Sequence, residues 1–152
     1  MSTVIRLATA ADLPAVAALV ERYWEFESIP DFDRGRIERL LGGLLEDPSR
    51  GACWVAEVDG LVQGYLLAVF MFSLEHGGLM AEIDEVFVST DVRGRRVGAE
   101  LLAAAERDMA ARDLRRLQLQ LSPANHAARR FYERHAFQTR SYEILDKPLD
   151  PE

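Results

Sequence analysis

The 152-residue sequence has the length of one ordinary globular domain, which is enough to bury a hydrophobic core. Hydrophobic residues make up 49% of it and charged residues 28%, which excludes a disordered or fibrous chain. Its net charge of −7 argues against nucleic acid as a partner, because such binding depends on Lys and Arg side chains that neutralise phosphates.

The sequence predicts a cytoplasmic protein with no membrane partner. The longest apolar run, Leu66 to Phe72, is too short to span a bilayer, and the N-terminus lacks the apolar core of a signal peptide. The single cysteine, Cys53, lies in the apolar stretch ACWVAEV and is predicted to be a buried, inert thiol. No His or Cys pattern with metal-ligand spacing is present, so we expect no metal.

The first half of the chain begins with a predicted strand over Val4 to Thr9, followed by two helices. Asp12 is the predicted N-cap of the first helix, and Pro14 fits its first turn. The second helix is predicted from Asp33 to Glu46. The apolar faces are Leu13, Val16, Val20, Tyr23 and Trp24 in the first helix and Ile37, Leu40, Leu41 and Leu44 in the second.

The second half continues with strands. ACWVAEV and LVQGYLLAVFMF flank Asp59-Gly60, a pair that favours a tight hairpin turn, and MAEIDEVFVS follows as a third strand. A long helix is predicted from Val97, then a half-buried strand in LRRLQLQLS, a helix opened by Asn125, and one or two closing strands within Phe137 to Leu149. The predicted order is β-α-α-β-β-β-α-β-α-β(β), a mixed α/β fold forming a single domain over residues 1–152.

The segment FVSTDVRGRRVGAELLAA, residues 87–104, carries the clearest binding signal. A strand ends there, a turn with glycines and arginines follows, and a helix begins. Amides at a helix start lack intrahelical acceptors and favour anions, and Gly94 and Gly98 let the backbone approach a ligand closely. An ordinary βα turn with solvated arginines is the alternative interpretation. The segment matches neither GxxxxGK[ST] nor GxGxxG.

The sequence resembles the GCN5-related N-acetyltransferase (GNAT) superfamily over nearly its whole length. VFVSTDVRGRRVGAELL is similar to that family's acyl-CoA pyrophosphate loop, [RQ]xxGx[GA], with Arg93 first, Gly98 last and Arg96 in place of the middle glycine. NHAARRFYERHAF, residues 125–137, is similar to NxxAxxFYxxxGF, with Ala136 in place of the glycine. The resemblance implies the GNAT acyl-CoA N-acyltransferase fold and an N-acetyltransferase that uses acetyl-CoA as co-substrate.

The resemblance also implies how the cofactor binds. Amides of the turn would take the pyrophosphate, the preceding strand would pair through its main chain with the pantetheine arm, and an amide near Val86 or Phe87 would donate to the thioester oxygen. The cofactor-binding candidates are Val86, Phe87, Val88, Arg93, Gly94, Arg95, Arg96, Val97, Gly98, Ala99, Asn125 and Tyr132.

The implied reaction is direct attack of a primary amine on the thioester, which requires that the amine lose a proton. Presenting an alkyl amine uncharged near neutral pH costs roughly 4–5 kcal/mol, so a nearby carboxylate is expected. AEIDEVFV offers Glu82, Asp84 and Glu85, and strand alternation predicts that Glu82 and Asp84 share one face while Glu85 lies on the other. The stretch resembles the [LI]-[ED]-[ED]-x-[FY]-V segment of the family's polyamine and diamine acetyltransferases. Asp84 is therefore the first candidate base and Glu85 the second, with a salt-bridge or orienting role for Asp84 as the alternative.

Tyr132 aligns with the tyrosine that the family often uses to protonate the departing thiolate; packing beside Phe131 is the alternative role. The substrate-side candidates are Glu82, with Glu27 from the acidic segment YWEFESIPDFD and His76 from SLEHGG. Acidic residues there favour a cationic small-molecule amine, although a solvated acidic loop is equally consistent.

Two other functions stay open at this point. One is acetylation of a protein N-terminus or lysine, which would need an open peptide groove. The other is a non-catalytic acyl-CoA-binding module, which would be favoured by loss of Tyr132 or of the acidic strand residues. The resemblance also allows a homodimer formed through strands near the C-terminus.

Overall fold

The structure is a computed structural model that describes residues 2–150. The chain forms two compact units, Met1–Gln120 and Leu121–Glu152. A single domain spanning both units stays a prediction. No helix among the described residues is long and apolar enough to cross a membrane.

The first unit is a five-stranded mixed sheet with three helices, in the spatial strand order β1-β2-β3-β4-β5. The first four strands are antiparallel to their neighbours, and the fifth runs parallel to the fourth. This agrees with the predicted mixed α/β class. The elements are β1 (Thr3–Leu7), α1 (Leu13–Glu27), α2 (Arg34–Leu45), β2 (Gly51–Val58), β3 (Leu61–Ser73), β4 (Gly78–Val88), α3 (Val97–Ala111) and β5 (Leu117–Leu119).

The hairpin between β2 and β3 forms at the predicted pair. Asp59 and Gly60 have φ angles of 51° and 85°, the left-handed conformation at both central positions that a two-residue hairpin turn of the primed type needs. The strand in LRRLQLQLS, by contrast, is short, because only Leu117–Leu119 pair with Ala81–Ile83 of β4.

Helices α1 and α2 pack over one core, into which Cys53 is buried as predicted. Burial raises the pKa of the Cys53 thiol to about 12, so it stays protonated and inert. Leu40 was predicted to share the buried face of α2, and this is wrong, since its side chain is 58% exposed. The buried members of the core are Val16, Ala17, Leu19, Val20, Ile37, Leu41, Cys53, Val55, Tyr65 and Phe87.

Asp12 lies at the predicted N-cap of α1, but its side chain does not cap that helix. Its carboxylate instead accepts from the Thr9 amide at 2.7 Å and from the Arg6 guanidinium at 2.7 and 2.9 Å. Arg6 also bonds to Glu57 of β2, so this cluster ties the start of α1 to the edge of the sheet.

The second unit contains α4 (His126–Arg134), which Asn125 caps by accepting from the Ala128 amide at 3.1 Å. The closing strands predicted within Phe137 to Leu149 are absent, since the described residues after α4 form no strand. A strand persists only where its backbone groups pair with a neighbour. Residues 138–150 are exposed and pair with no strand.

Candidate active site

A β-bulge in β4 determines where its acidic residues point. Leu67 of β3 faces Glu85 and Ala68 faces Ile83, so Asp84 is an extra residue with no partner on β3. A bulge interrupts the alternation of a strand and turns neighbouring side chains toward the same side. The prediction that Asp84 and Glu85 lie on opposite faces is therefore wrong: both line one pocket.

Glu85 is held by two donors from different elements. Its Oε2 accepts from Trp24 Nε1 of α1 at 2.8 Å, and its Oε1 accepts from the Tyr65 hydroxyl of β3 at 2.8 Å. Burial raises the pKa of Glu85 above its ordinary value, the two hydrogen bonds oppose that rise, and the charge of Asp84 adds to it. The side chain is thus a fixed carboxylate that takes up a proton more readily than an exposed glutamate does.

Asp84 is the freer of the two carboxylates. No hydrogen bond to its side chain is found among residues 2–150, and it is accessible to solvent. Desolvation by the surrounding protein still raises its pKa, and the charge of Glu82 raises it further. A carboxylate with an elevated pKa, and with no hydrogen-bond donor among the described residues, can accept a proton from a bound amine.

The pocket that these two carboxylates share has a volume of about 480 Å³. It lies between α1, α2 and the sheet, and a volume of this size suits a small organic molecule. Its wall is mainly apolar, with Asp84 and Glu85 on the sheet side, Arg36 and Arg39 on α2, and Arg50 just before β2. The lining residues are Val20, Trp24, Arg36, Ile37, Arg39, Leu40, Leu41, Gly43, Leu44, Arg50, Leu67, Asp84 and Glu85.

One edge of β4 is open beyond the bulge. On the side away from β3, the strand pairs with β5 only over Ala81–Ile83, so residues 84–88 have no strand partner on that edge within the first unit. An extended ligand can pair with such an edge through main-chain hydrogen bonds. The Phe87 side chain is buried in the core beneath α1 and α2, so this residue would offer only its main chain to a ligand.

The turn after β4 has the conformation expected of an anion-binding loop. Gly94 and Arg96 have φ angles of 82° and 62°, and a Cβ added at Gly94 would meet no atom within 4 Å. The Glu100 amide bonds to the Arg96 carbonyl at 3.0 Å, so helix geometry leaves the amides of residues 97–99 without an intrahelical acceptor. Arg93 and Arg96 are exposed beside this turn.

Arg22 of α1 also reaches this region, which the sequence reasoning missed. Its guanidinium donates to Ser89 Oγ at 3.2 Å and to Thr90 Oγ1 at 3.4 Å, just beyond the end of β4. It also lies 5.8 Å from the centre of the Phe87 ring. The only available signal was a basic residue within the apolar stretch LPAVAALVERYW. Arg22 thus adds positive charge where β4 enters the turn.

In the second unit, Tyr132 is fixed by the way α4 ends. The Phe137 amide bonds to the Tyr132 carbonyl and the Ala136 amide to the Glu133 carbonyl, which is a Schellman motif with Ala136 at φ 71°. The rings of Tyr132 and Phe137 pack 5.3 Å apart, and Phe131 lies 5.1 Å from Tyr132. Burial raises the pKa of Tyr132 to about 12, so the phenol is protonated throughout the neutral range.

The three predicted substrate-side residues do not line the pocket. The Glu82 carboxylate accepts from Gln118 at 2.8 Å and from Gln120 at 3.4 Å. Glu27 is the last residue of α1. His76 lies in the turn between β3 and β4, two residues before β4 begins and eight residues before Asp84 along the chain.

Comparison with known proteins agrees with this architecture. Residues 14–137 match the family model described as "Acetyltransferase (GNAT) family". A relative from Archaeoglobus fulgidus, described as "Uncharacterized N-acetyltransferase", is 31% identical over 118 residues, covering 77% of this chain and 80% of the relative.

Solved structures share the fold. The crystal structure of a possible acetyltransferase from Clostridium difficile 630 superimposes with a TM-score of 0.87 at 18% identity, covering 98% of this chain and 99% of that one. AAC(6')-Iy in complex with the bisubstrate analog CoA-S-monomethyl-acetylneamine gives a TM-score of 0.81 at 19% identity, covering 97% and 99%. With the family match over residues 14–137, these findings show that the chain belongs to the GNAT family of acetyltransferases.

Proposed function

We propose that this acetyltransferase transfers the acetyl group of acetyl-CoA to a primary amine of a small molecule within a ternary complex. The observation that carries the proposal is the pocket of about 480 Å³ in which Asp84 and Glu85 lie together, on a strand whose other edge is open. The AAC(6')-Iy complex, whose ligand joins coenzyme A to an acetylated amine compound, supports a small-molecule acceptor.

Acetyl-CoA would be held by the turn after β4 and by the open edge of that strand. The amides of residues 97–99 and the guanidinium groups of Arg93, Arg95 and Arg96 would receive the pyrophosphate, and Arg22 adds charge beside them. The main chain of residues 86–88 would pair with the pantetheine arm. In the second unit, Asn125 and Tyr132 are proposed to contact the cofactor, as the family resemblance implies.

The amine would bind with Glu85 as the fixed carboxylate and Asp84 as the proton acceptor. Glu85 already accepts a hydrogen bond at each oxygen, whereas Asp84 accepts none from the described residues. Transfer of a proton from the ammonium group to Asp84 frees the nitrogen lone pair, which attacks the thioester carbonyl. A C–N bond forms, the nitrogen gives up its second proton to solvent, and the C–S bond breaks. An amide near Val86 or Phe87 stabilises the developing oxyanion.

Tyr132 is proposed to donate the proton that the departing thiolate takes up. With a pKa of about 12, its phenol is a weaker acid than an ordinary tyrosine. Protonating a thiolate of pKa about 8.5 is then uphill by roughly 3.5 pKa units, or about 5 kcal/mol. Tyr132→Phe is therefore expected to slow thiol release while leaving acetyl-CoA affinity nearly intact, and a loss of affinity would indicate a structural role instead.

A thiol-release screen tests the proposed function. Acetyl-CoA is incubated with the protein and with alkylamines, amino acids, aminoglycosides or peptides, and acetylated products are identified by mass spectrometry. We expect amine-dependent release that is lost in Asp84→Asn and kept in Glu106→Gln, a charge-matched change on the exposed surface of α3. Turnover of peptides alone would favour protein acetylation, and coenzyme A binding without turnover would favour a non-catalytic module.

A further inference from the structure

The pocket that holds the two carboxylates also has a cationic side. Arg36 and Arg39 line it from α2, and Arg50 lines it from the residue before β2. The two carboxylates come from β4, on the sheet. The pocket therefore presents negative charge at its sheet side and positive charge at its α2 side, a distribution that the sequence reasoning did not foresee.

The charges of Arg36 and Arg39 are not neutralised within the described part of the chain. No carboxylate among residues 2–150 lies within 4 Å of either guanidinium, whereas Arg34, on the same helix, pairs with Glu21 at 3.2 Å. The Asp33 carboxylate caps α2 instead, because it accepts a hydrogen bond from the Arg36 main-chain amide at 2.9 Å. The charge of Arg50 is partly offset by the nearby carboxylate of Asp47. The pKa of Asp47 is lowered, first by hydrogen bonds from Ser49 and then by the charge of Arg50.

The wall between the two charged sides is apolar. Leu40 is 58% exposed although it lies in a helix whose other leucines pack inward, and it borders the pocket. A Cβ added at Gly43 would meet no atom within 4 Å, so this part of α2 leaves room. The remaining apolar and aromatic lining residues are Val20, Trp24, Ile37, Leu41, Leu44 and Leu67.

We propose that the acceptor is an amine whose far end carries an anionic group, a carboxylate or a phosphate, with an apolar stretch between the two. The ammonium group binds at Asp84 and Glu85, and the anion binds at Arg36 and Arg39. This assignment rests on the proposed function. A polyamine fits less well, because its second cation meets the arginines, and like charges in proximity disfavour binding. The pocket volume of about 480 Å³ suits an acceptor of about amino-acid size.

Matched acceptor pairs test this assignment. 5-Aminopentanoate is compared with pentylamine, and phosphoethanolamine with ethanolamine, each by thiol release at saturating acetyl-CoA. We expect the anionic member of the preferred pair to have a kcat/KM at least 10-fold higher, and the preference to weaken as salt is added. The carboxylate and phosphate pairs distinguish the two anions.

Variants assign the preference to residues. Arg36→Gln and Arg39→Gln should each raise KM for the anionic acceptor about 10-fold and leave the KM values for its neutral partner and for acetyl-CoA unchanged. Arg36→Lys, which keeps the charge, should raise KM for the anionic acceptor less than Arg36→Gln does. Arg107→Gln, on the exposed surface of α3, removes the same charge elsewhere and serves as the control. Circular dichroism checks that each variant is folded.

The outcomes separate this assignment from the proposed function. Equal turnover of both members of every pair, with no effect of Arg36→Gln, overturns the anionic acceptor while the acetyltransferase reaction stands. Turnover restricted to acidic peptides overturns the small-molecule assignment. If no amine reacts although coenzyme A binds, the proposed function fails and the anionic acceptor with it.

Discussion

The indole nitrogen of Trp24 donates to Oε2 of Glu85 at 2.8 Å, which joins α1 to the bulged part of β4 at the pocket. This hydrogen bond opposes the rise in the pKa of Glu85 that burial causes. Trp24→Phe removes the donor and should raise that pKa further. Since Asp84 and Glu85 titrate as neighbours, the acid limb of the pH profile of kcat/KM should move to higher pH.

The measurement for Trp24→Phe is kcat/KM for the amine across pH 4–9. Trp54→Phe is the matched control, because Trp54 donates to Asp108 of α3 at 2.7 Å rather than to the pocket. That control should lose stability without moving the acid limb. If the acid limb of the pH profile does not move in Trp24→Phe, titration of Glu85 does not govern the reaction.

The two pocket carboxylates should respond differently to neutralisation. Asp84→Asn should lower kcat by about 10²–10⁴-fold, because a positioned general base contributes about that much, and should abolish the acid limb. Glu85→Gln should act mainly on the KM of the amine, because Glu85 is held by Trp24 and Tyr65 and is proposed to orient the ammonium group. Steady-state kinetics against pH separates these effects. A retained acid limb in Asp84→Asn would transfer the role of base to another group.

The turn after β4 contains a residue, Arg96, whose backbone strain a substitution by glycine should relieve. Arg96 has a φ of 62°, a conformation that disfavours a side chain, and it replaces the middle glycine of the motif that the segment resembles. Arg96→Gly should stabilise the protein without ligand by about 0.5–1 kcal/mol. Thermal unfolding compares it with Arg95→Gly, which removes the same charge at a position without a positive φ and should give no gain. A lower Tm for Arg96→Gly than for Arg95→Gly would contradict this account.

Ala136 offers the corresponding test in the second unit. It occupies the left-handed position of the Schellman motif that ends α4, with a φ of 71°. Ala136→Gly should stabilise the chain by about 0.5–1 kcal/mol, and Ala136→Val should destabilise it by more, because a β-branched residue is strongly disfavoured there. Urea denaturation of both variants is the measurement. Changes of the same sign in the two variants would exclude the proposed strain.

Acid should weaken the cluster of Arg6 and Asp12. The hydrogen bonds from Arg6 lower the pKa of Asp12 from 3.8 to about 2. A carboxylate with a depressed pKa in the folded state stabilises the protein above its unfolded-state pKa and loses that contribution as the pH falls toward 2. Asp12→Asn should therefore cost about 2 kcal/mol near pH 6 and progressively less below pH 4.

Urea denaturation at pH 6, 4 and 3 measures this dependence. Asp33→Asn is the control, because asparagine also caps a helix and Asp33 forms no salt bridge with another described residue. This change removes an aspartate that takes no part in the Arg6 cluster. A destabilisation by Asp12→Asn that is the same at all three pH values would mean that the ion pair with Arg6 contributes nothing.

Local sequence signals predicted the parts of the fold that depend on neighbouring residues. Asp59 and Gly60 adopt the turn that their residue types favour. The long helix predicted from Val97 is α3, and its apolar residues spaced by four, Val97, Leu101, Ala105 and Met109, are all buried. Asp33 and Asn125, which stand at the predicted starts of α2 and α4, each accept a main-chain amide as helix caps.

Features that depend on long-range register were not predictable in this way. The bulge at Asp84 exists only because of how β4 aligns with β3, and alternation along β4 alone assigned Asp84 and Glu85 to opposite faces. Trp24 was predicted only as part of the apolar face of α1, because nothing in the local sequence connects its ring nitrogen with Glu85, 61 residues later. The arginines on the α2 side of the pocket likewise gain a common role only when α2 lies over the sheet.

The central claim is that the amine binds in the pocket between α1, α2 and β4 and loses its proton there. A crystal structure with coenzyme A and the most active amine tests this most directly. We predict the amine nitrogen within hydrogen-bonding distance of an Asp84 or Glu85 oxygen. An amine bound outside this pocket, with both carboxylates facing only solvent and protein, would contradict the claim.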